Sequence, residues 1–181
     1  MSLAHQQLPD YSTEELRRRG WTPALISRFL GRHDFASRGT RRYYGERVEQ
    51  AEELADFQVA QALEAKLAAR IEELADVIAA VRIDVERLSM NELRARAIEE
   101  WRERSTEPDG PIPAHVVKRA AVNYARFKLC TYEPESLAPL VAAIGRWNAM
   151  RALRPRTFAA IGAAYPSLEA EAKRQAQEMW M

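Results

Sequence analysis

Residues 11–48 read YSTEELRRRGWTPALISRFLGRHDFASRGTRRYYGERV, and the organisation of the chain turns on them. Ser12 and Glu15 stand at the S-x-x-E spacing of a capping box, so a short helix starts after Tyr11 with Leu16 on its buried side. Gly20 suits the left-handed stop of that helix. Trp21 follows as a core candidate. Thr22 caps a second helix, with Pro23 in its first turn, where a missing N–H costs nothing. Leu25, Ile26, Phe29 and Leu30 give that helix one apolar face, and Gly31 ends it. Two short helices joined by a tight glycine-containing turn predict a helix-turn-helix. From Asp34 to Thr40 the chain reads as a loop or hairpin tip, and Arg41–Tyr44 as the returning strand. A basic hairpin after a helix-turn-helix has the pattern of a wing.

Charge sharpens this reading. The chain has 181 residues and a formal net charge of only +1. From Arg17 to Gly45, however, there are eight arginines and one acid, Asp34, a local net charge of +7. The remaining 19 basic and 25 acidic residues sum to −6. A near-neutral total thus hides a basic amino-terminal patch beside an acidic remainder, a distribution that favours polyanionic partners.

From Glu46 to about Val81 there is no Gly or Pro. Phe57, Leu63, Leu67, Ile71, Leu74, Ile78 and Val81 recur mostly at three- and four-residue steps, as along a coiled-coil seam. The expectation is one long helix of about 50 Å. Its seam (Leu63, Leu67, Ile71, Leu74 and Ile78) would pair two copies or lie on the chain's own carboxy-terminal helices. Arg82–Leu88 reads as a short extended link. Ser89 and Glu92 form a second capping box ahead of a helix ending near Arg104. Ser105–Pro113 is a loop. Helices near Ala114–Leu129, Ser136–Ile144 and Arg146–Leu153 follow, and Pro155 and Pro166 punctuate two more, the last starting at about Ser167. The expected fold is therefore mainly α: residues 1–10 a flexible terminus, 11–50 a winged helix-turn-helix with a small β wing, 51–84 a long helix, and 85–181 an all-helical bundle.

Residues 11–50 resemble the winged helix-turn-helix of MerR-type regulators and phage excisionases. The similarity lies in Tyr11–Leu16, in Gly20-Trp21-Thr22-Pro23, which matches that family's Gly-Val-Ser-Pro turn, and in Thr40-Arg41-Arg42-Tyr43-Tyr44-Gly45-Glu46-Arg47-Val48, which looks like its Arg-x-Tyr wing strand. The module is also similar to the DNA-binding region of the xeroderma pigmentosum group A repair protein. Where the regulators carry an Arg-Tyr pair on the second helix, this chain has Ser27 and Arg28. The resemblance implies binding of double-stranded DNA, and dimerisation through the helix that follows the wing.

On the residues themselves, Arg28, Arg32, Arg38, Arg41 and Arg42 are the candidate DNA contacts, since guanidinium groups neutralise phosphates and read guanine edges. Thr22 and Ser27 join them from the second helix. Five phosphate contacts imply a salt slope of about −4.5 per protomer. The alternatives are an assembly or adaptor protein whose arginine patch docks an acidic protein, and RNA binding. Lys118, Arg119, Arg126 and Lys128 interleave with Asn123, Tyr124 and Phe127, either a second nucleic-acid face or core aromatics with a charged exterior. The bundle is a possible site for a protein partner.

Other classes find little support. His5, His33 and His115 are isolated, and neither they nor the single Cys130 has metal-ligand spacing, so neither metal nor cofactor is expected. No nucleophile elbow or phosphate loop is present, and no enzyme is expected. No apolar run approaches the roughly 18 residues that span a bilayer. The first residues lack a signal peptide's apolar core, which predicts a cytoplasmic protein without a membrane partner.

Overall fold

The computed structural model describes residues 10–105 and 110–177. His5, the amino-terminal segment before Asp10 and the centre of the Ser105–Pro113 loop lie outside the described residues. The chain is mainly helical with small antiparallel sheets. The described residues divide into two compact units, one running from Asp10 to Arg70 and one from Ile71 to Gln177. No helix among the described residues is long and apolar enough to cross a membrane.

In the first unit, strand β1 (Tyr11–Ser12) leads into helix α1 (Thr13–Arg18). The capping box forms as expected: Glu15 N donates to Ser12 Oγ at 3.2 Å, and Ser12 N donates to Glu15 Oε2 at 2.7 Å. Gly20 turns the chain at φ 84°, and a β-carbon there would lie 2.9 Å from Gln61 Nε2. Helix α2 (Pro23–Leu25) starts at Thr22, whose hydroxyl accepts from Leu25 N at 3.3 Å, and widens into a π-helical turn over Ile26–Leu30. Strands β2 (Phe35–Ser37) and β3 (Thr40–Tyr43) form a hairpin. β1 pairs with the other edge of β3, Tyr11 opposite Tyr43, so the sheet order is β1-β3-β2. This third strand has no alternation to announce it, being two residues long.

The long helix expected over Glu46–Val81 is instead three: α3 (Gly45–Glu53), α4 (Ala55–Glu73) and α5 (Ala75–Ala80). At about 100° per residue, a straight helix would set Phe57 about 180° from Val48. Both are buried in one core. Leu54, extended at φ −69° and ψ 129°, re-phases the chain so that Val48 and Ala51 before it, and Phe57 and Ala60 after it, face the same interior. α4 has 19 residues, about 28 Å rather than 50.

That interior is centred on Trp21, whose ring lies 4.3 Å from Phe57; Phe29 meets Phe57 edge-on at 5.2 Å. The indole Nε1 donates to Glu52 Oε1 at 2.7 Å. Arg19 grips the same carboxylate through Nε at 3.1 Å and Nη2 at 2.5 Å.

The second unit departs from an all-helical bundle. The link at Arg82–Leu88 contains strand β4 (Ile83–Val85). After α6 (Met90–Arg104) and α7 (Ala114–Tyr124), which runs on as a π-helical turn over Ala125–Leu129, comes β5 (Cys130–Tyr132). β4 and β5 pair antiparallel, Asp84 opposite Thr131. Then follow α8 (Pro134–Ile144), α9 (Arg146–Ala164), a 3-10 turn at Pro166–Leu168, and α10 (Glu169–Gln177). α9 continues through Pro155, where a break was expected. Pro155 itself is exposed, so its ring stands on the solvent side of the helix. On the other side α9 serves two cores, Ala149 and Leu153 packing with Leu140 and Val81, and Phe158 and Ile161 with Leu93, Val122 and Leu168. Burial on both sides of Pro155 outweighs the roughly 3 kcal/mol of an interior proline. Arg156 Nη1 donates to Val81 O at 2.8 Å and also to Ile78 O, closing the carboxy-terminal end of α5.

Two of the residues expected on a dimer seam belong to this unit's interior. Leu74 and Ile78 pack with Val81, Leu140 and Leu153 and are spent within the chain.

The Glu52 node carries a prediction for stability. Burial alone would raise the Glu52 pKa, but hydrogen bonds from Arg19 and Trp21 outweigh it and hold the carboxyl below its ordinary value. A group with a lowered folded pKa stabilises fully above the unfolded value, about 4.3, and the contribution is lost as pH falls through the folded pKa. Glu52→Gln should therefore cost about 1 to 2 kcal/mol at pH 7 and make the chain less sensitive to acid below pH 4. Urea denaturation at pH 7 and pH 3, followed by tryptophan fluorescence, checks both; equal loss on acidification in the two proteins would contradict the assignment.

Candidate nucleic-acid interface

The fold sorts the arginines of residues 17–45 into two groups. Arg19 is committed to Glu52, and its Nη1 also donates to Tyr11 Oη at 3.1 Å. Arg42 points to the β1 side of the sheet, where Nη1 donates to Asp10 O at 3.0 Å and to Glu15 Oε2 at 3.2 Å. It is half-buried and supports the helix cap, which corrects its assignment as an outward contact. Arg18 pairs with Glu14 along α1.

Asp34, the one acid of the stretch, turns inward. It pairs with Arg47 of α3, and its Oδ2 accepts from Tyr44 N at 2.9 Å. Arg47 Nη2 in turn donates to Leu30 O at 2.6 Å. Asp34 thus ties the hairpin base to α3 and the end of the π-helical turn, and its charge is answered from within.

The other arginines face outward. Neighbouring residues of β3 point to opposite faces, so Arg41 lies opposite Arg42, on the side of Tyr43. There an open cleft of about 310 Å³ is lined by Arg17, Ser27, Arg32, His33 and Arg41, with no acid among its lining residues. Arg17 enters it from α1. In the sequence the three consecutive arginines 17–19 are only weaker candidate contacts, because neighbouring helix residues point in different directions; their helical phase separates the inward one from the outward ones. Arg28 is exposed with its guanidinium 5.0 Å from the Phe29 ring. Arg38 and Gly39 form the hairpin tip, both in the left-handed region at φ 50° and 77°. Among the described residues no carboxylate pairs with Arg17, Arg28, Arg32 or Arg38. Thr22 is half-buried and its hydroxyl is engaged as a cap.

Along α4, Val59 and Leu63 are 61% and 60% exposed, whereas Leu67 and Ile71 are half-buried.

Among the described residues no three His, Cys, Asp or Glu side chains come together as metal ligands. Burial pushes the Cys130 thiol up to about 11, which keeps it protonated at neutral pH. In the second unit, Arg126 and Phe127 stack on each other while Tyr124 packs against the core, so the basic-aromatic run at 118–128 is split between surface and interior. Comparison with known proteins finds no similar family model, no similar curated protein and no similar solved structure.

Proposed function

We propose that the first unit is a winged helix-turn-helix that binds double-stranded DNA, with α1 and α2 as its helix pair and the β2–β3 hairpin as its wing. The observation that carries this reading is the acid-free cleft in which Arg17, Ser27, Arg32 and Arg41 converge from helix, turn and hairpin. Phosphates seated along it would be met by guanidinium groups from three elements at once, which fixes register. Ser27 and Arg28 stand on the exposed side of the second helix, where base edges are read in a major groove. Arg38 has the geometry of a minor-groove probe. A left-handed conformation at a non-glycine residue costs about 1 kcal/mol or more, and such strain at a hairpin tip fits a functional side chain better than a structural one.

Fluorescence-anisotropy titrations with duplex DNA at several salt concentrations test this. The contacting set becomes Arg17, Arg28, Arg32, Arg38 and Arg41, and the slope expected remains about −4.5. Arg41→Ala should flatten it by about 0.9, whereas Arg42→Ala should leave it unchanged and lower thermal stability instead. Arg38→Asn should separate the two properties, stabilising the hairpin by up to about 1 kcal/mol while weakening DNA binding. Indifference to duplex DNA at low salt would sink the reading in favour of an acidic protein partner. Stronger competition by a matched RNA duplex would make RNA the target.

A second copy is the proposed occupant of the α4 face that carries Val59 and Leu63, supported by the exposure of both residues one helical turn apart. Leu67 and Ile71 continue this face. Leu63→Asp should then shift the protein towards monomer in sedimentation equilibrium; a wild-type chain that is monomeric at high concentration refutes the dimer.

A further inference from the structure

The second unit holds another concentration of arginines, in a place that DNA binding by the first unit does not use. Between the π-helical turn and β5 on one side, and α8 and the start of α9 on the other, lies a cleft of about 720 Å³. Arg126, Arg146 and Arg154 line it, and no Asp or Glu does. Among the described residues no carboxylate pairs with Arg126 or Arg146. Arg126 is half-buried, its guanidinium 4.8 Å from the Phe127 ring and 5.4 Å from that of Phe158. Desolvation lowers its pKa from the usual arginine value. A partly desolvated cation without a counter-charge, in a cleft of one sign, is stabilised by an incoming anion.

The walls specify the rest of the ligand. Trp147 and Phe127 line the cleft and are 74% and 65% exposed, the largest exposures of any large apolar side chain described. Their flat faces suit a planar ring, and guanidinium groups beside them add cation–π attraction to it. Deeper in, the Thr157 hydroxyl donates to Leu153 O at 3.0 Å. Its 2.9 Å contact with Tyr132 Oη must therefore be donated by the tyrosine, which leaves the phenolic oxygen free to accept a ligand hydrogen bond. The volume falls within the roughly 300–1,000 Å³ of small-molecule sites and is too small for a folded partner.

We propose that this cleft binds a small planar anion, an aromatic or heteroaromatic ring bearing a carboxylate or phosphate, with Arg126 and Arg146 on the anionic group and Trp147 against the ring.

Isothermal titration of the full chain with 1-naphthoate and with adenosine monophosphate, each beside its uncharged counterpart (1-naphthalenemethanol and adenosine), tests it. At least one anion should bind with a sub-millimolar Kd, and which one does distinguishes carboxylate from phosphate recognition. Its uncharged counterpart should bind about tenfold or more weakly. Arg146→Gln should weaken the anion by about tenfold, and Trp147→Ala by several-fold. Both side chains are exposed, so the variants should keep the wild-type melting temperature. Failure of both anions to bind at about 10 mM overturns the proposal. So does anion binding that survives both Arg146→Gln and Trp147→Ala, or that the uncharged analogue matches. Loss of DNA binding in the earlier titrations would leave this result untouched.

Discussion

The indole N–H of Trp21 is buried with the rest of its ring and must have an acceptor, because an unmet donor in that interior would cost about 1–3 kcal/mol. Glu52 supplies it from α3, and a carboxylate drawn into a partly buried site needs a cation, which Arg19 provides from the turn after α1. One triad therefore binds the turn between the two short helices to the helix that follows the hairpin. α1, of six residues, and α2, of three, are too short to persist alone, so their angle depends on this link and on the packing of Trp21 against Phe57. Leu54 follows from the same demand. Only a break there lets Phe57 reach Trp21 while Glu52, five residues earlier at the end of α3, reaches its indole.

The division of the arginines is a consequence. Arg19, Arg42 and Arg47 each meet an acid and hold two elements together: Glu52 for the turn and α3, Glu15 for the hairpin and the α1 cap, Asp34 for α3 and the hairpin base. Glu52, Glu15 and Asp34 are each answered by one of these arginines, and no acid lines the cleft on the other side. Net charge counted along residues 17–45 does not reveal this. It is the placement in space that makes the cleft basic, and Arg41 and Arg42, adjacent in sequence, end on opposite faces of the sheet, with Arg41 lining the cleft.

Features set by local chemistry were legible in the sequence. The caps at Ser12, Thr22 and Ser89 all form, each with its hydroxyl on the backbone N–H three residues on. The hairpin appears where Ser, Gly and Thr interrupt the helical periodicity, and most carboxy-terminal helix boundaries fall within a few residues of their proline and glycine signals. What escaped was set by distant partners. β1 exists because β3 offers it an edge, and β4 because β5 lies alongside, although the two are more than forty residues apart in the chain. Leu74 and Ile78 fit a coiled-coil repeat as well as they fit their actual neighbours, since a three-and-four spacing states that one face is buried but not against what. Of the candidate contacts, Ser27, Arg28, Arg32, Arg38 and Arg41 stand outward, Arg42 and Thr22 are engaged in the fold, and Arg17, a weaker candidate in the sequence because its neighbours point elsewhere, lines the cleft.

Pro155 shows the same logic acting on a helix. An interior proline removes one backbone hydrogen bond, a local cost that reads from the sequence as a break. α9 nevertheless supplies Leu153 to one core and Phe158 to another, and it sets Arg154 and Arg156 to reach backbone carbonyls of other segments, Gln175 O at 2.7 Å and Val81 O at 2.8 Å. Breaking the helix at Pro155 would uncouple the two cores. Pro155 stands on the exposed side of the helix, whereas the side chains buried on either flank have no substitute partner. A proline is thus tolerated where it stands on the exposed side of a helix and both flanks are anchored. That condition depends on helical phase and on tertiary contacts, and neither can be read from the proline itself.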